Sequence, residues 1–261
     1  MTPTVRNLVR RLLPQAVRRA VVARLGLAQD PRWMFSRIYA DAQWGESRDG
    51  FYSGGGSHEA AVVEPYVAAV RAYLAALPRP VRLVDLGCGD FNVGRRLLDV
   101  AEHTVACDVV PDLIEHNRQR FADPRVTFRC VDAVADPLPD GDVVCVRQVL
   151  QHLTNAQIDA IARKLKRYPT WIITEHLPEG TFAPNLDKAP GRDIRVEACG
   201  SGVVLTAPPF DIRPLREKVL CEVPEWRGVI RTVAYEFSNE VAGTLAGDAR
   251  ESNRRPVQTA R

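Results

Sequence analysis

Long apolar runs are missing from this 261-residue sequence, and none approaches the roughly 18 residues that a membrane-spanning helix needs. Arginines interrupt every apolar stretch near the N-terminus, so the continuous apolar core of a secretory signal is missing too. The expectation is a chain that works in the cytoplasm, neither exported nor inserted. No two of the six cysteines stand as C-x-x-C, and Cys88, Cys107, Cys130 and Cys145 lie in or beside apolar runs. They read as buried, reduced thiols rather than as zinc ligands or a disulfide framework. Charge of one sign is lacking as well: 35 Lys and Arg stand against 32 Asp and Glu, a net +3. That balance excludes the chain-wide field of a general nucleic-acid binder and leaves only local basic features. No internal repeat is present.

What is there fits one α/β core with an appendage: 46% of residues are hydrophobic and 26% charged, ordinary for a globular chain. Residues 1–30 form a basic arm, with Arg6, Arg10, Arg11, Arg18, Arg19 and Arg24 ahead of the first acid, Asp30. Leu8, Leu12, Leu13, Val17, Val21 and Leu25 recur at helical spacing, which suits either a helix packed on the domain or an anchor. The anchor would sit at the inner membrane face, on anionic lipid, or on a partner enzyme. Residues 31–80 join aromatic residues to the flexible run Ser53-Gly54-Gly55-Gly56-Ser57, then a helix through Val62, Val67, Val70 and Leu74. This pattern suits a lid, and equally a plain linker. From 81 to 240 strand and helix alternate, with strands expected at 81–86, 105–107, 126–131, 143–146 and 171–173, and helices at 93–100, 112–121 and 156–168. Thr154 or Asn155 caps the last helix. Such alternation means a doubly wound, mostly parallel sheet, which two more strands near 219–223 and 229–237 close as a hairpin. Residues 177–210, rich in Pro and Gly, read as an insertion on the ligand side or a disordered loop, and 241–261 as a flexible tail.

The segment Val84-Asp85-Leu86-Gly87-Cys88-Gly89-Asp90 ends the first strand, at the sheet edge where open α/β folds bind ligands. Its glycines allow a tight turn close to a ligand, ahead of a helix whose amides face it. Asn92 occupies the place of the third glycine of a dinucleotide fold, which argues against NAD. Asp108 ends the second strand about 20 residues later, where a carboxylate accepts from both hydroxyls of an adenosine ribose. Asp132-Ala133 ends the third strand, where the acid can accept from the adenine amine or serve as a turn residue.

Together these residues resemble the class I S-adenosylmethionine (SAM)-dependent methyltransferases over about residues 81–175. Tyr39, Trp44-Gly45, the 53–57 run, Asp90-Phe91-Asn92, the run from Arg147 and Gln148 to Leu153, and Pro208-Pro209-Phe210 extend the likeness. They make the chain similar to methyltransferases of bacterial polysaccharide gene clusters, among them the mycobacterial methylmannose polysaccharide O-methyltransferases. The resemblance implies a Rossmann-like seven-stranded sheet with an N-terminal helical arm and lid, and SAM as cofactor. It implies contacts from Tyr39, Trp44, Ser57, Asp85, Gly87, Cys88, Gly89, Asp108, Val109, Asp132, Ala133, Arg147 and Gln148. Gln148 stands where the wider family often has Asp, which puts in doubt any metal role at that position. Mg2+ enters as a possible second cofactor without an assigned ligand set.

Methyl transfer requires an acceptor atom held in line with the methyl group, and a hydroxyl acceptor must also lose its proton. His152, after the fourth strand, is the expected general base, with backbone-bonded structural histidine as the alternative. Glu175 and His176, after the fifth strand, are expected to bind acceptor hydroxyls, act as a second base, or join Asp187 and Asp193 around a divalent ion. His58, His103 and His116 receive no role. The expected acceptor is a saccharide or other hydroxylated small molecule. O-methylation of a small natural product and a non-catalytic SAM-binding scaffold are the alternatives. A nucleic-acid substrate is not expected, since Ala207 precedes Pro208-Pro209-Phe210 where a base-flipping motif has Asn or Asp.

Overall fold

The computed structural model describes residues 29–47 and 50–237. Nearly all of the basic arm, and the tail at 241–261, lie outside the described residues. Asp30 caps the first described helix, α1 (Pro31–Ala40), its side chain accepting from Trp33 N at 3.0 Å, with Pro31 at the tolerated first position. The next helix, α2 (Ala60–Ala75), precedes β1 (Arg82–Leu86), β2 (His103–Asp108), α3 (Pro111–Arg120), β3 (Val126–Cys130) and β4 (Val143–Arg147). Then come α4 (Asn155–Leu165), β5 (Thr170–Pro178), α5 (Arg195–Cys199), β6 (Arg216–Glu225) and β7 (Gly228–Glu236). Thr154 caps α4 in a reciprocal capping box with Gln157.

The strands form one seven-stranded sheet in the order β3-β2-β1-β4-β5-β7-β6. The first five pair in parallel, while β7 lies antiparallel to both β5 and β6. Alternation along each strand splits the core into two layers. Val144, Val146, Trp171 and Ile173 pack with Met34 and Phe35 of α1 and Ile158, Ile161 and Leu165 of α4. Val143, Cys145 and Ile172 pack on the other face with Val63, Tyr66, Val67 and Val70 of α2.

Three expectations change. No regular helix spans 93–100: a 3₁₀ turn at Gly94–Leu97 takes its place. The preceding Phe91 is held at φ 60° with its ring buried against Phe121 and Phe128, so the chain dips into the core instead of starting a helix. No helical amides therefore follow the glycine turn. The fifth strand extends far beyond 171–173 because nine residues pair with β7. The 177–210 segment opens with the end of that strand, includes α5, and packs against the body through Arg195, which is 0% exposed. Among the described residues no helix is long and apolar enough to cross a membrane.

Candidate active site

At the carboxyl edge of the parallel strands the chain encloses a cavity of about 450 Å³, a volume suited to a small-molecule ligand. Every residue assigned above to the cofactor lines it: Tyr39, Trp44, Ser57, Asp85, Gly87, Cys88, Gly89, Asp108, Val109, Asp132, Ala133, Arg147 and Gln148. The glycine turn is shaped for close approach. Gly87 (φ 82°) and Gly89 (φ 56°) adopt left-handed backbone, and a Cβ on either would collide with Val149 or Ser53. Asp108 props the turn open, its carboxylate accepting from Gly89 N and Val110 N, each at 3.1 Å. Burial pushes this carboxyl up to about 6 against the pull of those amides. Asp85 is pushed up to about 7, again by burial, with Arg147 opposing. Asp132 spends one oxygen on an Asx turn, accepting from Val134 N at 2.8 Å, and still lines the cavity.

The lid is fastened over this turn by Asp90, Asn92 and His58, which the sequence did not assign to the cofactor, together with Arg147 and Tyr39, which it did. Asp90 accepts from Ser53 N at 3.0 Å and from His58 Nε2 at 2.6 Å, while its own amide donates to Ser53 Oγ at 2.8 Å. Asn92 donates to Ser57 O at 2.8 Å, and the Arg147 guanidinium reaches Gly56 O and Ser57 Oγ. Tyr39 adds a bond to Ser53 Oγ at 2.8 Å and stacks edge-on with Trp44. His58, given no role above, is thus part of the latch. A histidine just past a glycine loop, with an acid at the end of the glycine motif, was the available sign.

Two side-chain atoms in this region are buried without partners: Gln148 Nε2 and Arg147 Nε. Unpaired buried donors are costly unless a ligand accepts from them. With the open glycine turn and the carboxylates of Asp85 and Asp108, they form a donor and acceptor set that suits SAM.

His152 also lines the cavity, 7% exposed, its ring against Trp44 (centroids 5.4 Å) and Phe35 (6.2 Å). Nδ1 lies 3.1 Å from the Gly191 carbonyl, so the neutral ring carries its proton there and Nε2 keeps a free lone pair. Burial lowers its pKa to about 4. His176 also lines the cavity, near Glu197, Glu225 and Trp226, while Arg192 follows Gly191 beside His152. The Nε2 of His176 is buried and unpartnered, and burial lowers its pKa.

Glu175 is placed differently from its expectation. It does not line the cavity, and its two oxygens accept from Leu150 N (3.1 Å) and Gln151 N (2.9 Å). Burial pushes the carboxyl up to about 8. Asp187 and Asp193 also stand away from the cavity: Asp187 accepts from Asn155 N at 2.8 Å, and Asp193 pairs with Arg192. Among the described residues no three His, Cys, Asp or Glu side chains gather as metal ligands, so the donor set does not fit Mg2+. The 208–210 run stays outside the cavity too, with Phe210 buried in the core and Asn185 donating to Pro208 O at 2.9 Å.

A mostly parallel sheet with an antiparallel edge and a glycine turn facing a cavity is a Rossmann-like, ligand-binding architecture. The comparisons make that more specific. Residues 83–168 match the family described as methyltransferase domain. The fold is similar to N-methyltransferase NodS from Bradyrhizobium japonicum, solved with S-adenosyl-L-homocysteine (SAH), at TM-score 0.57 and 12% identity, over 77% of this chain and 98% of that one. It is similar to a SAM-dependent methyltransferase from Leishmania major at TM-score 0.56 and 16% identity, over 80% and 86%. A Burkholderia thailandensis 1,6-didemethyltoxoflavin-N1-methyltransferase aligns at TM-score 0.53 and 18% identity, over 87% and 92%. No curated protein matches the sequence. Residues 83–168 therefore match a methyltransferase-domain family, and the sheet that contains them has the fold of these solved methyltransferases.

Proposed function

We propose that this protein is a SAM-dependent O-methyltransferase whose acceptor is a saccharide hydroxyl, acting in polysaccharide biosynthesis of the methylmannose type. The observation that carries this reading is the position of His152: a neutral imidazole with its proton held by Gly191, lining the same cavity as the glycine turn. When bound, SAM supplies an electrophilic methyl group. Asp85, Asp108, Asp132, Arg147 and Gln148 are the groups to hold it beneath the lid. Trp44, Phe35 and the latched 53–57 loop exclude water, and Nε2 of His152 takes the acceptor proton. A base of pKa near 4 suffices, because a hydroxyl grows far more acidic as its oxygen donates electrons to carbon. Glu197, Glu225 and Arg192 among the lining residues support a polar acceptor, whose hydroxyls they can bond. The aromatic residues Phe35, Trp44 and Trp226 support a second reading, an apolar natural-product phenol.

The test is incubation with methyl-labelled SAM and a panel of mannosides, glucosides, phenols and amines. Label on a saccharide is expected. Label on amines alone, or on no acceptor, would overturn the assignment.

A further inference from the structure

Two buried ionisable side chains stand outside the cavity and bond to backbone on either side of His152. Glu175, 3% exposed on β5, accepts from the amides of Leu150 and Gln151 at the start of the Leu150–His152 turn. Arg195, fully buried at the start of α5, donates through Nη2 to the carbonyl of Leu153 at 2.7 Å, and through Nη1 to the carbonyl of Leu186. Between these two clamps, His152 exchanges a further pair of bonds with Gly191: Gly191 N donates to His152 O at 3.0 Å, and Nδ1 meets Gly191 O. Gly191 lies between Leu186 and Arg195 in one segment, so Arg195 ties that segment to the residue that follows His152.

Burying an ion is costly unless it is fully paired, and apolar side chains would fill these two places without that penalty. What the polar groups add is direction. They bond to backbone on opposite sides of one residue, which sets that residue's orientation more tightly than packing does. We propose that Glu175 and Arg195 are positioning residues that fix the tautomer and aim of His152, an inference that rests on reading His152 as the base of the proposed transfer. Neither touches the cavity, so neither is a catalytic residue in its own right.

Coupling through His152 separates this role from a general contribution to folding. Glu175→Gln keeps the shape but presents one acceptor where two amides need it. Displacing a base by a fraction of an ångström is expected to lower turnover about 10- to 100-fold, with SAH affinity unchanged within about twofold. In a His152→Ala background the same substitution should have no further effect on turnover, because the group it acts through is gone. Arg195→Lys, which retains the charge and one bond, is expected to give a smaller loss with the same dependence on His152. Nitrogen-15 NMR of the His152 ring supplies a readout that needs no acceptor. The wild-type protein should show the Nδ1–H tautomer alone, and both variants a mixture. Turnover losses that multiply undiminished on His152→Ala, or a ring tautomer unchanged in both variants, would overturn the proposal. If no acceptor is methylated the functional reading fails, and the NMR comparison still decides whether the clamp sets the ring.

Discussion

At the scale of single residues, His152 illustrates how burial rewrites an expectation drawn from composition. An unperturbed histidine would switch its charge near pH 6.5. This one sits among Phe35, Trp44 and backbone, which disfavours the cation and lowers its pKa to about 4. The base form is therefore present throughout the physiological range. kcat/KM on a hydroxyl acceptor is expected to stay flat in its acid limb from about pH 5 to 7 and to fall only as the pH approaches 4. A limb centred near 6.5 would mean the ring is solvated when it acts. His152→Ala should lower turnover about 10²–10⁴-fold while SAH affinity changes little. The same shift makes stability depend on pH with a defined sign: the folded state keeps the ring neutral, so stability present above about 6.5 is lost as the pH falls toward 4. The identity of His152 as a candidate base was legible in its sequence position after the fourth strand. The roles of Glu175 and Asp90 were not, because what separates a ligand from a clamp is where the carboxylate's lone pairs go, and those partners are 24 and 37 residues away.

At the scale of elements, the parallel strands could be read from their apolar runs, most plainly in β4, where both faces are buried. The lid could be read as a glycine run and nothing more. Its closed form depends on long-range bonds to Asp90, Asn92 and Arg147 that local pattern does not encode. Asp90→Ala removes the acceptor shared by Ser53 and His58. The expected outcome is weaker SAH binding by about 1–3 kcal/mol with a faster off-rate, together with easier proteolytic cleavage within 53–57. SAH dissociation unchanged in this variant would mean that the latch does not gate the cofactor. The expected helix at 93–100 failed for a related reason: a left-handed Phe91 is a tertiary choice, made to bury its ring.

For the molecule as a whole, the cavity unites elements from the lid, the sheet edge and the β6–β7 hairpin, so occupancy should stabilise the folded chain. SAH at 100 times its Kd is expected to add about 2.7 kcal/mol, equivalent to a rise in Tm of roughly 5–10 °C for a domain of this size. NADH should produce no shift, and a shift with NADH but none with SAH would contradict the cofactor assignment. The mostly parallel sheet covered on both faces followed from alternation and connection rules, while the strand order came from the structure. The place of the last two strands did not, since an antiparallel pair can close either edge of a sheet.

The antiparallel course of β7 has a further consequence. Because Gly228 pairs with Pro178, the hairpin tip carrying Glu225 and Trp226 is delivered to the same edge as the glycine turn. His176, Arg192, Glu197, Glu225, Trp226 and Ile230 all fall after residue 168, where the methyltransferase-domain match ends. A chimera exchanging everything downstream of α4 replaces this part of the cavity wall and leaves the glycine turn in place, so it is expected to change the acceptor while SAH binding is retained.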